Sequence, residues 1–172
     1  LEDKVQSIHS KIKQSNDNYR ARSHSLRDYL ELDCIKVVKE VESWQEAVRL
    51  GGHLLVKKAI VNQQYVEDII TIGEKYDGHY VIGNGVVLPH GDISSSITKP
   101  SISVVLVKKP TQFPYEREGR LFFFITAKTS KDHLHRIADV HRLSNDMTFI
   151  KGLDKIDSEE KLCNHLHNFL KE

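Results

Sequence analysis

The stretch Gly78-His79-Tyr80-Val81-Ile82-Gly83-Asn84-Gly85-Val86-Val87-Leu88-Pro89-His90-Gly91 decides how this chain is read. Tyr80-Val81-Ile82 and Val86-Val87-Leu88 are short apolar runs rich in β-branched residues. Gly83-Asn84-Gly85 between them is a turn signal, so the pattern predicts two strands joined in a hairpin. The second run stops at Pro89, which has no backbone N–H to give to a ladder and holds Leu88 extended. Gly91 follows, with no side chain and free access to positive φ. His90 stands between these two breakers, projecting from a rigid strand end with little bulk on either side. That geometry suits an imidazole that must meet a group on another macromolecule. It also fits an ordinary strand-to-loop junction with an exposed histidine.

Upstream, Leu26, Tyr29 and Leu30 form one face of a short helix, and Ile35-Lys36-Val37-Val38 is a candidate strand. Ser43-Trp44-Gln45-Glu46 reads as a capping box that opens a helix burying Trp44, Ala47, Val48, Leu54 and Leu55. Gly51-Gly52 inside it costs about 1 kcal/mol per Gly relative to Ala. Either the helix bends there or another backbone packs close. Asn62 caps a second helix carrying Tyr65, Val66, Ile69 and Ile72 on one face. Downstream, 102–107 and 121–127 read as buried strands separated by a charged loop, 110–119. Ser130 or Thr129 caps the next helix, with Leu134, Ile137, Ala138 and His141 along one face. A short helical piece follows over 145–153. Asp157-Ser158-Glu159-Glu160 opens a last helix that buries Leu162, Leu166, Phe169 and Leu170. Strict β-α-β alternation fails around His90, where strands follow one another directly. The expected architecture is one α/β domain over 25–172, a mixed β-sheet flanked by helices on both faces. Residues 1–24 are polar, with a thin stripe of Val5, Ile8 and Ile12, and read as a linker or N-terminal helical extension.

The order and spacing of Trp44-Gln-Glu-Ala-Val-Arg-Leu50, Tyr65-Val-Glu-Asp-Ile-Ile70, the stretch ending Leu88-Pro89-His90-Gly91, Phe113 and Asp132-His133-Leu134 carry a resemblance. They resemble the enzyme IIA domains of the mannitol/fructose type in the bacterial phosphoenolpyruvate:sugar phosphotransferase system. The ascorbate-like branch and the IIA-like domains of transcriptional regulators look most similar. The resemblance covers about residues 25–172 and implies the same mixed-sheet architecture. It implies that His90 is the phosphoacceptor and that His133, at the start of a later helix, stabilises the phosphoryl group. It implies a phosphorylated histidine carrier protein as donor and a cognate IIB domain as acceptor. A IIA-like regulatory domain at the end of a sugar-responsive regulator or antiterminator is the alternative reading. Mannitol-type members carry an arginine before the active histidine. Here the neighbourhood reads Ile72-Gly73-Glu74-Lys75, with Lys75 the candidate replacement charge. Many relatives have Pro where this chain has His79, which either joins the site or sits in a turn.

The chemistry is compatible with that reading. Neutral imidazole is nucleophilic near pH 7, and its phosphoramidate is a good donor. Charge on the transferring oxygens then needs hydrogen-bond donors, and no metal or cofactor. With Ser130 as cap, His133 falls at N3, where free N–H groups and the helix dipole favour an anion. Asp92 either tunes His90 or is a solvated loop residue. Cys163 and His167, four apart, fit a half-buried helix better than a metal pair. With a net charge of +1 over 172 residues, the composition does not point to nucleic acid. No apolar run reaches the length of a membrane span. Cys34 and Cys163 do not make a disulfide framework, so a cytoplasmic setting is expected. A homodimer is compatible with the reading. The Leu1 start suggests a processed, trimmed or excised chain.

Overall fold

The computed structural model describes residues 25–91, 96–129 and 133–170, together with Ser7. The readings of residues 1–24, of Asp92 and of the Ser130 cap fall outside the described residues. Five strands form one sheet in the order β1-β4-β5-β3-β2. They are β1 (Ile35–Val38), β2 (Val81–Gly83), β3 (Val86–Val87), β4 (Ser101–Phe113) and β5 (Arg117–Thr126). β1 runs parallel to β4 and β3 parallel to β5, while β4/β5 and β2/β3 are antiparallel. The sheet is therefore mixed, as the sequence leads one to expect. The helices are α1 (Leu26–Tyr29), α2 (Trp44–Lys57), α3 (Gln63–Lys75), α4 (Leu134–Ser144), α5 (Met147–Gly152) and α6 (Glu159–Phe169).

Alternation along the strands divides the core in two. Leu121, Phe123 and Ile125 face one side with Val104, Leu106 and Leu88, and pack against α1, α4, α5 and α6. Phe122, Phe124, Val105 and Val107 face the other side and pack against α2 and α3. Both faces of the sheet are thus covered, which is why its central strands read as continuous apolar runs.

Local signals explain most elements. Ser43 accepts a hydrogen bond from the Glu46 N–H at 3.2 Å, and Asn62 accepts one from the Tyr65 N–H at 2.8 Å. The Glu46 carboxylate reaches the Glu42 N–H rather than that of Ser43, so only half of the expected box forms. Asn84 and Gly85 both have positive φ, 51° and 78°, as a two-residue hairpin turn between right-twisted strands requires. Gly51 and Gly52 mark close packing. A Cβ on Gly52 would lie 2.6 Å from the Val66 methyls of α3, and the Gly51 carbonyl accepts the Ser103 hydroxyl at 2.7 Å.

Two expectations are corrected. The segment 110–119 is mostly strand: β4 and β5 run on into a long hairpin with its tip at 114–116. Pro110 is accommodated where the β4/β5 register shifts between Leu106 and Thr111, because an irregular ladder does not call on its missing N–H. The buried face of α4 is Arg136, Val140, Leu143 and Ser144, while Leu134, Ala138 and His141 are exposed. The stripe is turned because Arg136 occupies a core position. Its guanidinium donates to the carbonyls of Ser101 (2.6 Å) and Thr126 (2.8 Å) at the facing ends of β4 and β5.

Candidate functional site

Topology brings the two predicted histidines together. β3 and β5 are parallel neighbours, with Val86 opposite Leu121 and Val87 opposite Phe122, so both chains leave the sheet at the same end. The segment after β3 carries His90. The segment after β5 leads to α4 and carries His133. Ligand sites at the carboxyl ends of parallel strands follow from this kind of divergence.

Regular strand ends at Val87, but the Leu88 N–H still donates to the Tyr80 carbonyl at 2.9 Å. Leu88 and Pro89 are buried and His90 is exposed. His90 Nδ1 lies 2.7 Å from the Leu88 carbonyl oxygen. A carbonyl only accepts, so Nδ1 carries a proton, and in the neutral ring Nε2 keeps its lone pair. This short local bond fixes both ring orientation and tautomer. Gly91 has a role different from the expected one. Its φ is not in the left-handed region; instead, a Cβ would sit 3.1 Å from both Tyr65 Oη and Ile69 Cγ1. It is the close approach of this backbone to α3 that calls for glycine.

His90 and His133 line one small cleft of about 40 Å³, with Leu88, Gly91, Ile125, Ala127 and Ile137 completing its wall. Its volume is far below the several hundred Å³ of a typical small-molecule site. His133 is the N-cap residue of α4 and not N3: its carbonyl accepts the Ile137 N–H at 2.9 Å, and regular helix begins at Leu134. The helix starts later than the sequence suggests, which keeps His133 at the mouth of the helix, where it lines the cleft. His133 Nδ1 is buried and has no hydrogen-bond partner among the described residues. An open groove of about 330 Å³ along α3, lined by Asn62, Tyr65, Asp68 and Ser96 among others, reaches Gly91 from the other side.

His79 lies in the turn before β2 and also approaches His90, with ring centroids 6.0 Å apart in a T-shaped arrangement. Burial, then His90, then Arg117 hold its imidazole below the ordinary histidine range. Lys75 does not reach into the cleft; its ammonium lies 5.4 Å above the Tyr76 ring. Arg136 is the buried residue beside the site's helix start that sequence reasoning passed over. It is fully buried, ties α4 to both long strands, and stacks 4.5 Å from the Tyr29 ring. No pattern marks it, since a lone arginine on an amphipathic helix reads as a solvated residue.

Among the described residues, Glu31, Asp33 and Cys34 bring three potential metal-ligating side chains together. The Lys58 ammonium pairs with both carboxylates, 2.8 Å from Asp33, so the cluster is an ion-pair clamp between the 3-10 turn Leu32–Cys34 and the end of α2. Cys163 and His167 are half-buried on α6, as a packed terminal helix would have them. No helix among the described residues is long and apolar enough to cross a membrane.

Comparison with known proteins agrees with this architecture. The ascorbate-specific phosphotransferase-system EIIA component of Escherichia coli K12 is 31% identical over 132 residues, 76% of this chain and 86% of that protein. Its Salmonella typhi counterpart is 32% identical over 121 residues, 70% of this chain and 79% of that protein. In fold, the mannitol-specific cryptic phosphotransferase enzyme IIA of Escherichia coli superposes with a TM-score of 0.75 at 22% identity, over 84% of this chain and 99% of that one. A mannitol IIA solved in complex with phosphorylated mannitol IIB, also from Escherichia coli, superposes with a TM-score of 0.70 at 22% identity, over 81% of this chain and 97% of that one. The family model for the phosphoenolpyruvate-dependent sugar phosphotransferase system, EIIA 2, matches residues 28–169, and the chain belongs to that family.

Proposed function

We propose that this IIA component carries phosphate on His90, taking it from a phosphorylated histidine carrier protein and passing it to a cysteine of a cognate IIB domain. The observation that carries the reading is the Leu88 carbonyl on His90 Nδ1, which leaves the Nε2 lone pair on an exposed, oriented ring. In the forward step the Nε2 lone pair forms the new N–P bond. The donor's N–P bond breaks, and its electron pair stays on the donor nitrogen. Nδ1–H remains on the Leu88 carbonyl throughout, so no proton need leave the ring. His133, across the same cleft, offers a hydrogen bond to the phosphoryl oxygens as charge builds on them. The cleft is too small to hold a sugar, which suits a carrier that meets only proteins.

The solved relative bound to phosphorylated IIB supports a IIB domain as the acceptor, and the curated relatives named above support an ascorbate-type system as the first to test. They are named as phosphotransferase-system EIIA components, so the regulator reading is not favoured. In this reading the domain works in the cytoplasm. Incubation with phosphoenolpyruvate, enzyme I and the histidine carrier protein should give an acid-labile adduct on the native domain and none on His90→Ala. Normal labelling of His90→Ala would refute the assignment.

A further inference from the structure

His79 does not line the cleft shared by His90 and His133, yet its ring is held beside His90 from the other contacts of its turn. It packs 4.3 Å from the Tyr80 ring and 5.6 Å from the Tyr76 ring. The turn itself is fixed. Gly78 has φ +67° and lies so close to Phe113 that a Cβ would stand 2.7 Å from its ring, and the Tyr80 hydroxyl donates to the Ile69 carbonyl at 2.7 Å. His79 therefore keeps its place relative to His90 on a built scaffold.

Burial first, and then the charges of His90 and Arg117, favour the neutral His79 ring while His90 is bare. From β5, Arg117 reaches over to donate to the Asp77 and Pro114 carbonyls. The Lys75 ammonium at the end of α3 is engaged elsewhere, over the Tyr76 ring. The carboxylate in this turn, Asp77, accepts the Tyr115 hydroxyl at 3.2 Å. Burial, His90 and Arg117 all act on His79 in one direction, toward loss of its proton.

Transfer of a phosphoryl group to Nε2 reverses the influence of His90 on its neighbour. It adds one net negative charge to His90, because PO3⁻ arrives while Nδ1–H stays on Leu88. A histidine about 6 Å away then faces an anion instead of a neutral or cationic ring. We propose that His79 is a positioning residue for the phosphoryl group on His90, taking up a proton from solvent as the group arrives and releasing it as the group leaves. The inference rests on His90 being the phosphoacceptor. With an effective dielectric between that of surface pairs and of water, a unit charge at this distance moves a neighbouring titration by about one pH unit. Linkage makes the effect reciprocal. If phosphate raises the proton affinity of His79 about tenfold, protonation of His79 favours the phosphorylated form about tenfold.

The test follows the His79 imidazole by NMR against pH in the bare and the phosphorylated domain, loaded with phosphoenolpyruvate, enzyme I and the histidine carrier protein. His79→Gln assigns its resonance. The expected result is a titration midpoint about one pH unit higher in the phosphorylated domain. A midpoint that stays or falls overturns the inference. A second readout is the equilibrium share of phosphodomain against the carrier protein from about pH 5.5 to 8, a span that brackets an imidazole titration. The native domain should gain more than His79→Gln toward acid pH, the difference rising toward the tenfold limit, and matching profiles would overturn the inference. Retention of label by His90→Ala is a separate result, read from labelling alone, and it overturns the phosphoacceptor reading itself.

Discussion

Gly73→Ala offers a sharp test of how the hairpin that presents His90 is held. Gly73 lies near the end of α3, where Ala would ordinarily improve helix stability by up to about 1 kcal/mol. Here the added Cβ would stand 2.7 Å from Trp44 Cη2, 2.7 Å from Tyr80 Cε2 and 3.0 Å from Trp44 Cζ3. Neither ring has room to yield. Trp44 is 6% exposed and stacked on Phe113 at 5.5 Å, and Tyr80 is 1% exposed with its hydroxyl on the Ile69 carbonyl. Overpacking of this kind costs about 1–3 kcal/mol, and a clash shared by two fixed rings belongs in the upper part of that range. The net expectation is a loss of about 1–2 kcal/mol, or about 3–6 °C in Tm for a domain of this size. Because the Tyr80 ring stands 5.4 Å from His90, labelling should also slow. Urea unfolding of Gly73→Ala beside the native domain gives the stability term at unchanged m. A variant as stable as the native chain would refute the packing argument, since it would mean that the rings move aside at no cost.

Three other outcomes are expected. On the proposed roles of His90 and His133, His133→Ala should slow phosphorylation about 100- to 1000-fold in a labelling time course while leaving the endpoint reachable, as expected for loss of one donor to the transferring group. Arg136→Leu should lower the unfolding free energy by about 2–4 kcal/mol, since it strands the buried Ser101 and Thr126 carbonyls and removes their charged donor; a change within 0.5 kcal/mol, the usual range of surface substitutions, would refute that role. The folded chain holds the proton of His79 less tightly than a free imidazole does, so between the two titrations the unfolded chain binds more protons. The stability of the bare domain should therefore fall as pH drops below about 6.5, and His79→Gln should show less of that fall in denaturant midpoints measured across the range.

The sequence by itself determined the elements and most of their ends. The continuous apolar run over 121–127, the caps at Ser43 and Asn62, and Asn84-Gly85 between two β-branched runs are local signals, and each is read from a few adjacent residues. The same is true of His90 as an exposed ring at a strand end, because Pro89 acts on its own neighbours. Tertiary structure decided what lies far apart along the chain. The parallel pairing of β3 with β5 sends His90 and His133 out of the same end of the sheet. The register of long strands made a hairpin of the 110–119 segment, which its charges alone marked as loop. Arg136 turned the buried face of α4 because two strand-end carbonyls needed a donor, a demand set by residues 35 and 10 positions away. His79 reached His90 only because Gly78 and Tyr80 fold its turn against the sheet. Helix and turn signals are short-range, whereas unsatisfied carbonyls and ring contacts between distant segments exist only once the chain has closed on itself.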